Sequence, residues 1–495
     1  MPDNDLNPVV GIDLGTTFSC ISRWTGDRAQ IYKLAGGEQT LASIVNIQKN
    51  GEPLVGNYAK KRLLSEPENT VQMVKRHIGD SDKRFTMRGK KYSAVDVSAM
   101  ILSRLKDDLH GKFPDDAGFE IAGAIITHPH YFTFPQIAQT EEAAKAAGIP
   151  VIRMLSEPVA AALNYGFQTY RGLEEDKEEK ILVFDLGGGT FDVTVIQVTN
   201  TLNELVFKVL SVGGDAMLGG TNFDESFFNW AAKEENIDFS SVDEHARIRA
   251  MPILSEAVIE AKKQLSAMDD TILMAANILP DQHVDKDVSR EQFQEIIKED
   301  CKRVRSIVSK TLAAAGLREG ELDKTIMIGG SSRIPIMRKI VEDETGAQPW
   351  ANADVDLAVA HGAAFLAAME DGRLEGMQKE IIVEEATSHA LGLRAKDDLF
   401  SVLIPANRPA PCTAVKEYRV RSDSFTVDPF QGEYKRGAKV TDAEMTALKP
   451  IEITGMQTDS DGIAEFKVTY IVNEQQILRV KIEGPGVHEE RQLEY

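Results

Sequence analysis

Two short stretches of this 495-residue chain carry side chains whose types and spacing suit phosphate chemistry. One runs from Val10 to Phe18 (VGIDLGTTF) and the other from Phe184 to Asp192 (FDLGGGTFD). Each passes from apolar residues to an aspartate, turns through glycine and leaves through threonine. Glycine turns between apolar strands also occur in ordinary hairpins. Two copies with hydroxyls at the turn, 172 residues apart from Asp13 to Asp185, read instead as two halves of one phosphate clamp. Glycine lets the backbone come close to a ligand, and successive N–H groups in such a turn form a concave anion site. A carboxylate beside phosphate requires a hard cation between them, and Mg²⁺ is usually held by one or two carboxylates, waters and phosphate oxygens. Asp13 and Asp185 therefore read as the magnesium-side groups. Thr16, Thr17, Thr190 and the N–H groups of the two turns (Gly15 and Gly187 to Gly189) are the phosphate-side groups. A third glycine turn, Gly213 to Gly220, precedes a helix expected from about Phe223. It offers either a further phosphate contact, since helix N-termini bind anions, or a simple cap.

Strands and helices must position these turns. Val9 to Asp13 and Cys20 to Trp24 read as a strand and its return, with short strands near Ile31 and at Ile44–Ile47. Val71, Val74 and Ile78 repeat at helical spacing, which predicts a helix over 70–78 with Lys75 and Arg76 flanking its buried stripe. Ser98–His110 and Gln136–Ala147 read as helices, the second closed by Gly148. Ile121–Thr127 and Val151–Leu155 read as strands. Glu157 and Pro158 open a helix over 159–165, with proline where its missing N–H does no harm. Arg171–Lys180 is charged enough to be an exposed loop. Met251–Met268 is helical, and Ser289 with Gln292 forms a capping box for one helix running to about Ala315. Lys324–Ile328 is a strand feeding Gly329–Pro335, and Leu357–Met369 is a small-residue helix.

The composition changes after about Gly376. Beyond Glu380–Glu385, a short apolar run between acids, the pattern is all strand. Ala464, Phe466, Val468, Tyr470 and Val472 alternate with more polar residues, and the turn Asn473–Gln476 leads into Ile477–Ile482. This is a separate β module of about 110 residues, a normal size for one domain.

Composition excludes several classes. With 42% apolar and 27% charged residues the chain is globular, and its length suggests about three domains. A net charge of −21 argues against nucleic acid or an anionic membrane as partner. Three cysteines are too few for a disulfide framework or a zinc site. There is no apolar signal core at the N-terminus and no stretch near the roughly 18 apolar residues of a membrane span. A cytoplasmic protein is the expectation.

Taken together, the motifs resemble the seventy-kilodalton heat-shock chaperones, the DnaK-like family. The resemblance covers nearly the whole chain and rests on 11–17 (GIDLGTT), 157–162 (EPVAAA), 184–192, 329–335 (GGSSRIP) and 431–436 (QGEYKR). It implies an α/β, two-lobed ATPase of the actin-like fold (duplicated ribonuclease-H-like lobes meeting near 180–185) over 7–378. A hydrophobic linker over 379–385 and an antiparallel β-sandwich for peptides over 386–495 would follow, with no helical lid among these residues. By motif, Asp13, Lys75, Glu157, Asp185 and Asp192 surround MgATP and the attacking water. Gly188, Gly189 and Thr190 hold phosphate, and Thr190 matches a threonine phosphorylated in some members. The nucleotide set extends to Phe18, Gly219 and Gly220, and to Glu260, Lys262, Lys263 and Ser266 near the adenosine, with Gly329, Gly330, Ser331, Arg333 and Asp356. Pro129, Arg153, Ile381, Ile382, Val383 and Glu384 fall at coupling positions, Arg153 matching an arginine that meets J-domain partners. The resemblance implies ATP/ADP and Mg²⁺, with K⁺ as a candidate further cation. It also implies a monomer that works with protein clients, a J-domain co-chaperone and a nucleotide exchange factor.

The sequence departs from the family pattern at several points. The segment between Ile78 and Tyr92 is short. His128 precedes Pro129 where the family has valine, and Ile137 stands near the place of a relay arginine. Ser156 and Val159 replace the usual Asn and Thr around Glu157 and Pro158, and Ile259 stands at a usual adenosine-contacting glutamate, with Glu260 one place on. In the β module, Leu393–Leu399 is polar where an apolar cleft is usual, and the Tyr418–Phe425 loop is short. Phe425 stands where a branched pocket residue is expected, and a bulky residue narrows what a preformed cleft admits. Three function classes compete: an ATP-dependent chaperone, an ATP-binding regulatory protein serving one dedicated partner, and a sugar or acid kinase. The β module and the 157–162 and 329–335 motifs speak against the kinase.

Overall fold

The computed structural model describes residues 8–25, 28–34, 36–110, 120–170, 177–318, 320–350, 355–374, 379–473 and 476–493. The charged segment 171–176, the composition change near Gly376 and the tip of the 473–476 turn lie outside them. The chain is mixed α/β with several sheets, and two of these repeat one plan. In the first, Val9–Leu14 lies parallel to Gly123–His128 and antiparallel to Phe18–Trp24. Val151–Ser156, Ala29–Ile31 and the short Leu41–Ala42 complete it. In the second, Lys177–Leu186 lies parallel to Lys324–Ile328 and antiparallel to Phe191–Asn200, with Glu204–Asp215 next. Each aspartate thus sits near the carboxyl end of a central strand, beside its hairpin turn, where open α/β sheets bind ligands.

Glu157–Tyr170 and Ala358–Glu370 are the helices that join the two halves. Their alanines are explained by closeness. A Cβ on Gly362 would lie 1.7 Å from the carbonyl oxygen of Ala160, and one on Gly11 would lie 2.3 Å from the backbone nitrogen of Ala364. Only residues without bulk allow the backbones to approach this far.

Several sequence expectations are revised. Residues 70–78 are not one helix: Thr70–Gln72 is a strand paired with Ile44–Asn46, and Val74–His77 is a 3₁₀ turn. Met73, with φ of 57°, breaks the helical path. Val71, Val74 and Ile78 still share one core, so the spacing is real but its cause is not a helix. The loop expected to reach Lys180 ends by Lys177, where the strand begins. Gly213 and Gly214 lie inside a strand that runs to Asp215, and the helix after the turn starts at Gly220. The helix expected from Met251 starts at Glu244 and passes through Pro252. The Ser289 box is present, but the helix behind it is two, Arg290–Ile296 and Lys298–Ala314.

Beyond residue 379 the regular elements of the described chain are strands and one short 3₁₀ turn. The strand Glu380–Glu384, read from sequence as a linker, pairs parallel with Glu204–Lys208 and extends the second α/β sheet. The module itself stacks two four-stranded antiparallel sheets around Leu391, Leu393, Phe466, Val468, Tyr470 and Ile482. No described helix is long and apolar enough to cross a membrane.

Candidate active site

The two glycine turns meet. A Cβ on Gly188 would come 2.0 Å from Thr17 Oγ1, and one on Gly189 would come 2.6 Å from Thr16 Cγ2. Neither glycine has positive φ, so closeness rather than backbone conformation demands them. Gly15 is held likewise, its missing side chain facing the carbonyl of Phe18, whose own ring is exposed. Gly187 N–H donates to the Thr190 carbonyl at 3.1 Å and closes the second turn.

The third glycine turn braces the second. Gly220 N–H donates to the Gly187 carbonyl at 3.0 Å, and Thr221 N–H to that of Gly188 at 2.8 Å. Gly219 N–H donates to the Asn222 side chain. These first donors of the Gly220–Glu234 helix are therefore spent on protein carbonyls and a side-chain amide. Ser331 Oγ adds a further bond to the Gly187 carbonyl at 2.9 Å, and Gly329, at φ 79°, packs against Leu186 and Asp185.

Between the turns lies a buried charge cluster. Lys75, which the helical spacing puts beside the buried stripe and the resemblance puts beside MgATP, follows the Met73 kink and is 3% exposed. Its ammonium donates to Glu157 Oε1 at 2.6 Å and lies over the Phe132 ring. Asp13 accepts from Thr127 Oγ1 at 3.1 Å, and Asp192 accepts from Tyr131 N–H at 2.8 Å. Burial, and next the charge of Glu157, raise all three aspartates. Asp13 is pushed up to about 7, Asp192 to about 8, and Asp185 well above the carboxylate range. Four carboxyls around one ammonium form a site short of positive charge, which is the donor chemistry a hard dication fits. Among the described residues no three acidic, histidine or cysteine side chains form a direct ligand set. A cation bound through water and phosphate, as Mg²⁺ prefers, suits these residues better than an all-protein cage.

The expected adenosine side gathers around the Glu244–Ala267 helix. Lys262 pairs with Asp224 at 2.7 Å and reaches the Gly220 carbonyl at 3.3 Å. Lys263 is a second positive charge acting on Asp224. Ser266 caps back onto Lys262, and Glu260 accepts from Gln264 of the same helix. Arg333 and Asp356 pair at 2.6 Å, half exposed, beyond the 3₁₀ turn Gly330–Arg333. Contacts cross the space between the halves: Arg76 to the Met217 carbonyl at 2.7 Å and Lys60 to Glu256 at 3.3 Å.

The coupling residues divide. Arg153 lies against Glu370 at 3.4 Å. Ile381 is buried, and Ile382 and Val383 are partly buried in the edge strand. Glu384 faces out towards Lys208. The buried acid is Glu385, which accepts from Ser156 N–H at 3.4 Å and from the Gln476 amide at 3.2 Å. Sequence reasoning missed Glu385, and it missed the residues just after Pro129. Tyr131 holds Asp192 through its N–H and donates its hydroxyl to Glu433 of the β module at 2.8 Å. Phe134 N–H donates to Gln431 at 2.9 Å, and its ring lies in the module's own core cluster. The one sequence signal was the run of aromatic and histidine residues directly after a fully buried strand. Phe425 packs on Phe466 with ring centroids 4.5 Å apart and lies, partly buried, against that same core.

A model of the Hsp70 protein family matches residues 9–494. The chain belongs to the Hsp70 family. Hsp70 proteins are in general chaperones that bind ATP or ADP with Mg²⁺ and hydrolyse ATP. They act with client proteins, J-domain proteins and exchange factors.

Proposed function

We propose that this Hsp70-family chain is an ATP-dependent chaperone that hydrolyses ATP to ADP and phosphate between two actin-like lobes. The lobes are the halves built on the Val9–Leu14 and Lys177–Leu186 sheets, within an ATPase domain over 7–378. Residues 379–385 are the coupling segment and 386–495 the client-binding module. The observation that carries this reading is the meeting of two glycine–threonine turns over a buried Lys75–Glu157 pair and three aspartates.

Phosphoryl transfer to water is mostly positioning and charge stabilisation. Lys75 presents its ammonium where negative charge develops, and Glu157 fixes it there. Asp192, with one oxygen held by Tyr131, keeps the other for the attacking water. Thr16, Thr17, Thr190 and the turn N–H groups take the phosphates. Asp13 and Asp185 would hold Mg²⁺ through water, and its charge would let these buried carboxyls ionise. Arg333, steadied by Asp356, offers its guanidinium plane to the base. The test is Lys75→Met in single turnover. Loss of one preorganised donor costs about 10²–10³ in rate, and hydrolysis as fast as the parent's overturns the assignment.

A second reading, a regulatory protein with one dedicated partner, is favoured by Phe425, whose partly buried ring packs against the module core where the family pattern calls for a branched pocket residue. A peptide-array screen with and without ATP separates the two. ATP-sensitive binding of many unfolded peptides supports the chaperone. Binding to one folded protein alone supports the regulator.

A further inference from the structure

Three of the nine histidines, His128, His130 and His389, are buried together where the first α/β half meets the β module. With Gln431 and Gln476 they line one cavity. Their hydrogen bonds fix different proton demands. His130 Nε2 lies 3.0 Å from the Ala386 carbonyl and therefore donates. Its Nδ1 has no hydrogen-bond partner and lies 3.8 Å from Glu385 Oε2, so a proton placed there meets a carboxylate. His128 Nδ1 lies 2.8 Å from the Pro129 carbonyl and also donates.

His389 differs. Its Nδ1 lies 2.9 Å from Ser388 Oγ and 3.4 Å from the Gln431 amide nitrogen, which can only donate. Its ring packs on Tyr131 with centroids 4.4 Å apart. A proton on Nδ1 removes the Gln431 bond and leaves a cation among neutral groups. Of the nearby acids, Glu385 faces His130, Glu433 is held by the Tyr131 hydroxyl, Asp192 by the Tyr131 N–H and Glu157 by Lys75. The one charge acting on His389 is that of His130, which repels.

We propose that this cluster makes docking of the β module acid-sensitive, with His389 as the sensor: its protonation opposes the Tyr131 contact across the interface and the Gln431 bond within the module, which orients the amide that holds Phe134 N–H, and so releases the module from the first α/β half. The inference concerns docking alone and stands whether or not the nucleotide assignments hold.

The sign comes from linkage. Burial, then His130, hold His389 down to about 4 in the docked state, against an ordinary 6.5 once released. The released state therefore takes the proton more readily. The histidine's contribution to docking is full above about pH 7 and is lost as pH falls below the ordinary histidine value. At about pH 5.5 the two values give a docking constant about tenfold lower.

The test is deuterium exchange on the full nucleotide-free chain, corrected for the intrinsic pH dependence of exchange. It compares amides of 385–392 with the core strand 181–186. The expected result is a protection factor over 385–392 that falls about tenfold from about pH 7.5 to about pH 5.5 while the core strand is unchanged. His389→Gln, which stays neutral, should abolish that fall, its core protection at about pH 7.5 showing that it folds. Protection over 385–392 that is flat with pH overturns the proposal. So does a fall shared equally by the core, or one that persists in His389→Gln.

Discussion

Phe134→Ala is the sharpest probe of how the two parts of the chain are held together. Phe134 opens the Phe134–Ala146 helix of the first α/β half, yet it is 7% exposed. Its ring belongs to the apolar cluster of the β module with Leu391, Leu393 and Tyr470, and not to the cluster beneath its own helix. Burying a phenylalanine ring is worth about 2–3 kcal/mol. An internal cavity would raise the cost of the alanine variant to about 3–5 kcal/mol, but two surfaces that can separate relax the void, so the transfer term governs. The backbone N–H bond to Gln431 survives the substitution. The docking constant should therefore fall about 30- to 150-fold. Deuterium exchange over 385–392 reads this directly, with the 181–186 strand as control. In calorimetry, the variant should show the β module melting as a separate, earlier transition. Protection within about twofold of the parent, at unchanged core protection, would refute the idea that this ring anchors the module, because the burial term would then be absent.

Other outcomes test the site. Gly188→Ala puts a Cβ 2.0 Å from Thr17 Oγ1. Overpacking of this kind costs about 1–3 kcal/mol, so ATP affinity measured by calorimetry should fall about tenfold. Asp13 at about 7 and Asp192 at about 8 are raised above the ordinary 3.8, so the folded state keeps protons that the unfolded chain releases. The contribution of these two carboxyls to the stability of the nucleotide-free protein is then full below the ordinary carboxylate value and is lost as pH rises through 7 to 8. The melting temperature should drop over that window and Mg²⁺ should restore more of it at the alkaline end. An Mg²⁺ effect that does not change with pH counts against these carboxyls as its site.

Local chemistry was legible from contiguous residues alone. Asp13 and Asp185 stood out because an aspartate, a glycine turn and a threonine are adjacent, and the hairpins they imply are local structure. The capping box at Ser289 and the glycine end at Gly148 were legible for the same reason. Position relative to other elements was not. The spacing of Val71, Val74 and Ile78 imitated a helix because a strand, a kink at Met73 and a 3₁₀ turn aim the same three side chains at one core. Local spacing alone left Lys75 only flanking the buried stripe; the resemblance placed it at the site, and its pairing with Glu157, 82 positions away, is a tertiary contact. Residues 380–384 read as a linker because an apolar run between acids does not announce which sheet edge it will meet, and the edge at Glu204–Lys208 is 176 positions earlier. Glu384 and Glu385 are neighbours of the same type, and only burial on one side of a strand separates a surface acid from the one held by Ser156 and Gln476. The histidine cluster shows the same limit, since His130 and His389 are 259 positions apart and meet only when the module docks. Contacts of this range are fixed by packing free energy summed over the whole chain, which no single stretch of sequence contains.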